Sequence, residues 1–218
     1  MSVSRETPGA LAETMRGMRV SRETLLSIVP RETFDRLDAY ASLLNRWNKR
    51  INLISSRDEA VLWDRHIADS WQLSALIPAG AAVGADFGSG AGFPGLVVSI
   101  VTGLHIHLVE SDHRKAAFLR EATRITQAPS TIHACRIDQA TLPQANVIMA
   151  RGLASLSNLL AMATPHLAPG GICLFPKGEN VDREIGDAQE SWTMRIERHI
   201  SLTDRRGVIL RISEVACA

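Results

Sequence analysis

The sequence predicts an α/β protein built on a doubly wound, mostly parallel sheet, with an antiparallel edge and an N-terminal helical extension. From residue 78 onward, short apolar runs alternate with segments of helical periodicity, as expected where helices connect parallel strands. Residues 21–77 have helical periodicity only, and the last two apolar runs lie close together, like antiparallel neighbours. We therefore divide the chain into a flexible N-terminus (1–20), a helical extension (21–77) and a sheet domain (78–218).

The helical extension is predicted to contain a short helix and two amphipathic ones. Ser21 is a candidate N-cap, although Thr24 stands where a full capping box has Glu or Gln. Pro30 interrupts the pattern, and amphipathic helices are expected after it over residues 31–52 and 56–77. Their apolar positions are Phe34, Leu37, Ala41, Leu44, Trp47 and Ile51 in the first, and Val61, Leu62, Ile67, Trp71 and Leu73 in the second.

The sheet domain is predicted to contain seven strands and three helices. The helices are expected over residues 94–101, 114–126 and 153–167, with Pro169-Gly170-Gly171 ending the third. Because the last two strands are close in sequence, we expect them to pair as the antiparallel edge. The predicted strands cover residues 81–87, 105–110, 131–135, 146–150, 171–178, 194–202 and 207–213.

Composition narrows the classes of function. A chain of 218 residues with 45% hydrophobic content can bury one substantial core. Its longest apolar run is short of the roughly 18 residues that span a bilayer, and no apolar N-terminal stretch resembles a secretory signal. Three distant cysteines, Cys135, Cys173 and Cys217, suit a reducing compartment and argue against disulfides or a zinc site. We expect a cytoplasmic, monomeric protein with neither a metal nor a membrane partner.

A glycine-rich loop, "DFGSGAGFPG", follows the first predicted strand. Residues 90–95 match the dinucleotide pattern G-x-G-x-x-G. Residues 86–92 match acid-x-Gly-x-Gly-x-Gly, which resembles the loop of Rossmann-like methyltransferases that use S-adenosylmethionine. A dinucleotide places a pyrophosphate on the helix N-terminus, whereas S-adenosylmethionine has no phosphate and its ammonium needs an acid nearby. Asp86 is such an acid, so we favour S-adenosylmethionine, with Gly88 and Gly90 in the cofactor turn.

A second acid supports a nucleoside ligand. Glu110 ends the second predicted strand, 22 residues after Gly88, where an acidic side chain commonly holds ribose hydroxyls. This residue fits both loop patterns. It therefore indicates a nucleoside without identifying the cofactor.

The segment after the fourth strand restricts the methyl acceptor. Methyltransferases that act on exocyclic amines usually have a Pro-Pro-aromatic motif there, but residues 149–156 read "MARGLASL". Methylation at cytosine C5 needs a nucleophilic cysteine, and we interpret Cys135 and Cys173 as small buried residues. The remaining acceptors are a lone pair that is already nucleophilic, such as a purine N7, or an oxygen or nitrogen of a small molecule.

Seven segments of the chain carry a family resemblance. In order, they are "WNKRINLIS" (47–55), "RHIADS" (65–70), "DFGSGAGFPGL" (86–96), "LVES" (108–111), "RKAAFL" (114–119), "ARGLASL" (150–156) and "PKG" (176–178). In order and spacing they resemble a known family, the bacterial 16S rRNA guanine-N7 methyltransferases, long called glucose-inhibited division protein B. The resemblance covers about residues 34–212, and "RHIADS" together with "GSGAGFPG" is highly specific. Gly152 and Pro176 depart from the residues usual in the family, Ala and Leu, without removing a polar group.

The resemblance implies a Rossmann-like class I methyltransferase fold, S-adenosylmethionine as cofactor, and 16S rRNA or the 30S subunit as partner. The target it implies is guanine 527, in the 530 loop of the small subunit. The cofactor contacts expected from the loop, the acids and the resemblance are Asp86, Gly88, Gly90, Phe93, Glu110, Ile137, Asp138 and Arg151.

Guanine N7 carries a lone pair and no proton, so no general base is expected. The enzyme should contribute proximity, orientation and desolvation, and a donor or cation should read O6 while N7 stays free. We predict that Arg65, His66 and Lys177 position the guanine. Arg65 could instead pair with Asp69 four residues later on the same helix. The candidates for rRNA backbone contacts are Arg46, Lys49, Arg50 and Arg136, because a net charge of +1 requires a local basic patch.

Three alternative functions are weighed against this prediction. A small-molecule methyltransferase would have an apolar lid, whereas the predicted N-terminal helices carry Arg, Lys, Asn and His. An NAD-dependent oxidoreductase is disfavoured by Asp86. A cofactor-binding module without catalysis is compatible with the sequence. Methyl transfer to N7 needs no general base, so no catalytic residue of that kind could distinguish an enzyme from such a module.

Overall fold

The computed structural model describes residues 21–218, so the flexible N-terminus predicted over residues 1–20 lies outside the described part. One seven-stranded sheet has the order β3-β2-β1-β4-β5-β7-β6. Strand β7 runs antiparallel between β5 and β6, and the other pairings are parallel. The predicted mostly parallel sheet with an antiparallel edge is therefore confirmed. The strands are β1 (Val83–Phe87), β2 (His105–Val109), β3 (Ser130–His133), β4 (Ala145–Ala150), β5 (Leu167–Lys177), β6 (Trp192–Ile200) and β7 (Val208–Cys217).

Eight α-helices of the described residues surround this sheet, with one π-helical turn (Trp63–Ile67) and 3-10 turns at Gln72–Leu76, Ile137–Gln139 and Thr164–His166. Ser21 caps the first helix, since its hydroxyl accepts a hydrogen bond from the Thr24 amide. The α-helices are α1 (Arg22–Ile28), α2 (Arg31–Asn48), α3 (Ser56–Glu59), α4 (Ala68–Trp71), α5 (Gly95–Thr102), α6 (His113–Thr126), α7 (Leu156–Ala163) and α8 (Val181–Gln189).

The helices cover both faces of the sheet, as doubly wound folds require. Helices α1, α2, α5 and α6 and residues 62–73 pack against one face in a single hydrophobic core. Helices α7 and α8 cover the other face. Residues 21–77 therefore share a core with the sheet and bury the apolar side of α2 against it. The sheet residues on the first face are Ile106, Leu108, Val147, Met149, Ile172, Leu174 and Ile209, and those on the second include Phe87, Val109, Ile148, Phe175 and Leu210.

Three element boundaries differ from the sequence prediction. The helix predicted over residues 56–77 is broken into α3, the π-helical turn, α4 and a 3-10 turn, so Val61 is exposed although its spacing predicted burial. The helix begun at Arg31 ends at Asn48, before Ile51. The Pro169-Gly170-Gly171 segment lies inside β5 and does not end a helix. A register shift between β4 and β5 accommodates these residues at the start of the strand.

Helix α2 also reaches the loop that follows β1. Tyr40 is fully buried, and its hydroxyl donates a hydrogen bond of 2.5 Å to the Ala91 carbonyl. Its ring contacts Phe93 edge to face, with 5.6 Å between ring centroids. The helical extension therefore fixes the position of the glycine-rich loop.

We predict that Tyr40→Phe lowers the free energy of unfolding by about 1–3 kcal/mol, because it leaves the buried Ala91 carbonyl without its donor. At roughly 2–4 °C per kcal/mol for a chain of this size, thermal unfolding should detect the change. Thr193→Val is the matched control, since it removes an exposed hydroxyl at the far edge of the sheet. Equal unfolding temperatures for the two variants would contradict the prediction.

Candidate functional site

The loop between β1 and α5 depends on glycines with left-handed backbone. Gly88, Gly90 and Gly92 have φ values of 67°, 55° and 99°. Residues that carry a side chain rarely adopt these angles. A Cβ atom at Gly88 would lie 2.8 Å from Cδ1 of Leu153. The Gly88 amide donates to the Val109 carbonyl at 2.9 Å. This hydrogen bond holds the loop to the end of β2. The glycine backbone, which carries no side chains, lies beside the carboxyl edge of the sheet.

Asp86 is fully buried at the end of β1. Its Oδ2 accepts a hydrogen bond of 3.1 Å from the Gly95 amide at the start of α5, while no described residue hydrogen-bonds its buried Oδ1. Burial raises the pKa of Asp86 to about 7, against the opposing effect of its hydrogen bonds. An unpaired buried carboxylate oxygen fits a cationic ligand group, such as the ammonium of S-adenosylmethionine.

Glu110 closes the other side of the loop. Its Oε2 accepts a hydrogen bond from the Gly90 amide and its Oε1 accepts one from the Asp112 amide, each at 2.8 Å. Both oxygens therefore shape the loop. Each oxygen keeps a further lone pair with which a ribose hydroxyl could bond.

A cavity of about 750 Å³ opens beside this loop, and we call it the cofactor cavity. Of the eight predicted cofactor contacts, Gly88, Ile137 and Asp138 line it, and exposed Arg136 lies on its wall. The other five do not line it, namely Asp86, Gly90, Phe93, Glu110 and Arg151. Asp138 accepts a hydrogen bond of 3.3 Å from Nε of Arg136. The other lining residues were not predicted from the sequence, because apolar spacing indicates only burial in a core. They lie at or after the ends of β2 and β3 and in and around α7: Val109, Ser111, Cys135, Leu153, Ala154, Ala161, Met162, Pro165 and His166.

A second cavity of about 620 Å³ lies next to it, and we call it the reaction cavity. It brings together Arg65, His66, Arg151 and Lys177 from three separate parts of the chain. Gly152 lines this cavity while its neighbour Leu153 lines the cofactor cavity, so a single loop separates the two. The other lining residues are Asp58, Val61, Asp64, Asp69, Pro176, Gly178, Ser201, Thr203, Asp204, Gly207 and Val208.

His66 is held between Phe93 and Arg151. Its ring stacks on Phe93 with 5.0 Å between centroids, and its Nδ1 lies 2.8 Å from Nη2 of Arg151. Because a guanidinium only donates, Nδ1 must accept and the imidazole proton sits on Nε2. Burial, followed by the charge of Arg151, lowers the pKa of His66 to about 4. His66 is therefore a neutral hydrogen-bond donor at physiological pH.

Arg151 is fixed through Asp69. The Nη1 of Arg151 donates to Oδ2 of Asp69 at 3.1 Å, and its guanidinium carbon lies 5.2 Å from the Phe93 ring centroid. Oδ1 of Asp69 accepts from Nε2 of Gln72 at 2.8 Å and from Oγ1 of Thr203 at 2.7 Å. One carboxylate thus joins the N-terminal segment, the loop after β4 and the loop before β7.

The alternative Asp69–Arg65 pair is not formed. Arg65 instead pairs with Asp58, with 3.3 Å between Nε and Oδ1, and its side chain is 70% exposed. Arg65 lies in the π-helical turn and Asp69 in α4. Contacts with Asp58 and Arg151, rather than the spacing of Arg65 and Asp69, decide how the two side chains pair.

Lys177 holds the loop that separates the two cavities. Its Nζ donates to Oε2 of Glu184 at 2.7 Å and to the Ala154 carbonyl at 2.9 Å, and its side chain is largely buried. The same Glu184 oxygen accepts a hydrogen bond from the Leu156 amide. Lys177 lines the reaction cavity, but its ammonium is committed to protein partners.

The predicted RNA contacts lie away from the reaction cavity. Arg46, Lys49 and Arg50 are exposed around the C-terminal end of α2. A groove of about 340 Å³ contains Arg50 together with Arg114 and Lys115 of α6, which the sequence analysis did not select. None of the three predicted residues of α2 and its following turn lines either cavity.

Within residues 21–218, no three or more His, Cys, Asp or Glu side chains are grouped so that they could hold a metal ion. In the same residues no helix has the length and apolar character needed to cross a membrane.

We predict that Asp86→Asn changes how stability depends on pH. A folded-state pKa of about 7, above the ordinary value of 3.8, stabilises the fold at low pH, and that stabilisation is lost as pH rises toward 7. The ligand-free wild type should therefore lose stability relative to Asp86→Asn between pH 5 and 7, by at most about 1.4 kcal/mol per pH unit. Urea unfolding at each pH measures the difference.

Asp138→Asn controls for loss of an exposed carboxylate, because its side chain is 66% exposed. If the unfolding free energies of wild type and Asp86→Asn ran parallel between pH 5 and 7, the raised pKa of Asp86 would be wrong.

Comparison with solved structures supports the fold. The ribosomal protein L11 methylase from Lactobacillus delbrueckii subsp. bulgaricus superimposes with a TM-score of 0.54 at 17% identity, covering 66% of this chain and 77% of that one. M. jannaschii TYW2, solved in complex with AdoMet, also gives a TM-score of 0.54, at 10% identity, covering 70% and 76%. The predicted Rossmann-like class I methyltransferase fold is confirmed.

Comparison of sequences identifies the family. A protein of Rhodospirillum centenum is 55% identical over 188 residues, which cover 86% of this chain and 87% of that protein. A protein of Gluconobacter oxydans is 48% identical over 189 residues, covering 87% and 97%. Both are named "Ribosomal RNA small subunit methyltransferase G". The profile of the family described as "GidB: rRNA small subunit methyltransferase G" matches residues 33–209. The chain therefore belongs to the GidB family of small-subunit rRNA methyltransferases.

Proposed function

We propose that this protein transfers a methyl group from S-adenosylmethionine to N7 of a guanine in 16S rRNA, in the 530 loop of the small subunit. The observation that carries the proposal is the pair of adjoining cavities, which are separated only by the loop that follows Arg151. A methyl donor in one cavity and a base in the other can meet at this loop. Family membership supports rRNA as the substrate, and we propose that the protein acts in the cytoplasm, where bacterial rRNA is found.

The cofactor cavity suits the parts of S-adenosylmethionine. When bound, this cofactor supplies an electrophilic methyl group on its sulfonium. We assign the ammonium to Asp86, which has an unpaired buried oxygen, the ribose to Glu110 and the adenine amine to Asp138. Of these three, Asp138 lines the cavity, while Asp86 and Glu110 support the glycine-rich loop beside it. Gly88 allows the ligand to approach the backbone closely because it has no side chain.

The reaction cavity suits a guanine approached through its Hoogsteen edge. O6 is a hydrogen-bond acceptor, and N7 must stay free for attack. The exposed guanidinium of Arg65 is a donor of the required kind. The Nε2 proton of neutral His66 is also a donor, but it is buried and faces Oδ2 of Asp58 at 3.6 Å, so Arg65 is the donor open to a ligand. Since N7 has no proton, no residue of the chain has to act as a base. The contribution of the protein is orientation and exclusion of water.

The walls of the reaction cavity are polar, which disfavours a small apolar substrate. Among the residues that line it, seven are charged, and Val61 and Val208 are the aliphatic ones apart from proline and glycine. An apolar lid, expected of a small-molecule methyltransferase, is not seen over this cavity within residues 21–218.

The function is tested by incubating the protein with labelled S-adenosylmethionine and 30S subunits or 16S rRNA that lack the modification. Borohydride–aniline cleavage then maps N7-methylguanine, which we expect at a single position in the 530 loop. Label elsewhere would correct the target. Absence of label on both substrates, while a known rRNA methyltransferase labels the same material, would refute the proposal.

We predict that Asp69→Asn lowers kcat by about 10- to 100-fold, because Arg151 and the loop before β7 lose the charge that aligns them. The affinity for S-adenosylmethionine should change by less than about threefold, since Asp69 does not line the cofactor cavity. Steady-state kinetics and calorimetry measure the two quantities. Asp182→Asn is the matched control, as it removes a carboxylate from an exposed ion pair with Arg198. A wild-type kcat for Asp69→Asn would contradict the positioning role.

A further inference from the structure

The loop between β6 and β7, residues 201–207, forms one wall of the reaction cavity. Ser201, Thr203, Asp204 and Gly207 all line that cavity. No motif in the sequence drew attention to this segment, which reads as an ordinary connection between two strands. Because the loop lines the same cavity as Arg65, it is a candidate to contact the substrate.

Hydrogen bonds within the loop fix its shape. The Ser201 hydroxyl accepts from the amides of Thr203 and Asp204, both at 3.2 Å. The Asp204 side chain accepts from the Arg206 amide at 2.9 Å, and its carbonyl accepts from the Gly207 amide at 2.9 Å. A Cβ atom at Gly207 would lie 3.0 Å from Cβ of Ser201, so the turn is also tightly closed. A loop ordered in advance loses little entropy on binding a partner.

The loop is also held to the centre of the site. Gln72 accepts from the Leu202 amide at 2.9 Å and donates to the Ser201 hydroxyl at 3.1 Å. The Thr203 hydroxyl bonds to Asp69, the same carboxylate that fixes Arg151. The loop tip therefore has a set position relative to Arg151.

Two consecutive arginines, Arg205 and Arg206, are exposed at this tip. Arg206 pairs with Glu179, but both side chains are mostly exposed, so the pair contributes little and can be exchanged for another anion. No ion pair of Arg205 is found among the described residues. Neither arginine lines the reaction cavity, but in sequence both lie between Asp204 and Gly207, which do. Both guanidinium groups are therefore available to an anion beside that cavity.

The charges inside the reaction cavity do not by themselves attract the phosphates of an RNA strand. Its walls carry four carboxylates, which repel phosphate, and the cations Arg151 and Lys177 are already paired with Asp69 and Glu184. Arg65 is paired with one of the four carboxylates. An RNA strand that brings a base into this cavity requires further cations at the rim. The four carboxylates are Asp58, Asp64, Asp69 and Asp204.

We propose that residues 201–207 form an RNA-docking loop in which Arg205 and Arg206 bind backbone phosphates next to the target base. This inference rests on the proposed function. Phosphate contacts set position and register without reading sequence. The loop then places the neighbouring base over Arg151 and His66, because Asp69 fixes the loop and Arg151 to each other.

The test compares wild type with the double variant Arg205→Ala/Arg206→Ala in binding to an unmodified 16S rRNA transcript at several salt concentrations. We expect the affinity to fall roughly tenfold at moderate salt, and the slope of log K against log[salt] to fall by about 0.7–0.9 per arginine. The KM for rRNA should rise while kcat at saturating rRNA changes little. Affinity for S-adenosylmethionine, measured without RNA, should stay within about twofold and show that the variant is folded.

The matched control is Arg31→Ala/Arg195→Ala, which removes the same charge from exposed ion pairs at the start of α2 and in the middle of β6. The control should keep the wild-type affinity and salt slope. An unchanged affinity and slope in the Arg205/Arg206 variant would overturn the proposal, as would equal losses in the two variants.

The binding measurement does not depend on catalysis. If wild type binds the transcript with the expected salt slope but leaves no N7-methylguanine, the proposed reaction fails and the docking loop stands. If wild type does not bind the transcript, the docking loop is refuted.

Discussion

The carboxylate of Asp69 is the interaction on which the site depends. It accepts hydrogen bonds from Arg151, Gln72 and Thr203, and so ties together three segments that are far apart in sequence. The side chains of Asp69 and Arg151 are mostly buried, and removing one partner of such a pair commonly costs about 3–5 kcal/mol, because the other charge is left uncompensated. The arrangement of the reaction-cavity wall follows from this single group.

Two carboxylates at the site have opposite surroundings. Asp69 is surrounded by donors and a guanidinium, whereas Asp86 receives one backbone amide and is fully buried, which raises its pKa to about 7. The Oδ1 atom of Asp86 thus has no hydrogen-bond partner among the described residues, and a cationic ligand would supply one. Similarly, burial keeps His66 neutral and Arg151 fixes its proton on Nε2. The site therefore contains hydrogen-bond donors and one carboxyl group, Asp86, that a bound cation can ionise. These groups are in keeping with a reaction in which the enzyme accepts no proton.

The helical extension is part of this site because it shares the core of the sheet. Tyr40 of α2 holds the glycine-rich loop, and residues 62–73 carry both Asp69 and His66 into position. In this segment Arg65 pairs with Asp58, and Asp69 pairs with Arg151. The glycine-rich loop and the reaction cavity are consequently built on one continuous hydrophobic core.

The sequence alone determined the sheet class, the glycine-rich loop and its two acids, because these depend on local periodicity and on glycine spacing. It also predicted that Gly88, Ile137 and Asp138 belong to one ligand site, through a resemblance between motifs. The tertiary structure decided which charges pair. Asp69 and Arg151 lie 82 residues apart, whereas Arg65, four residues before Asp69, pairs with Asp58. The proposed docking loop was equally hidden, because only the pairing of β6 with β7 places residues 201–207 beside the reaction cavity. Pairings between distant segments depend on packing, which local spacing does not encode.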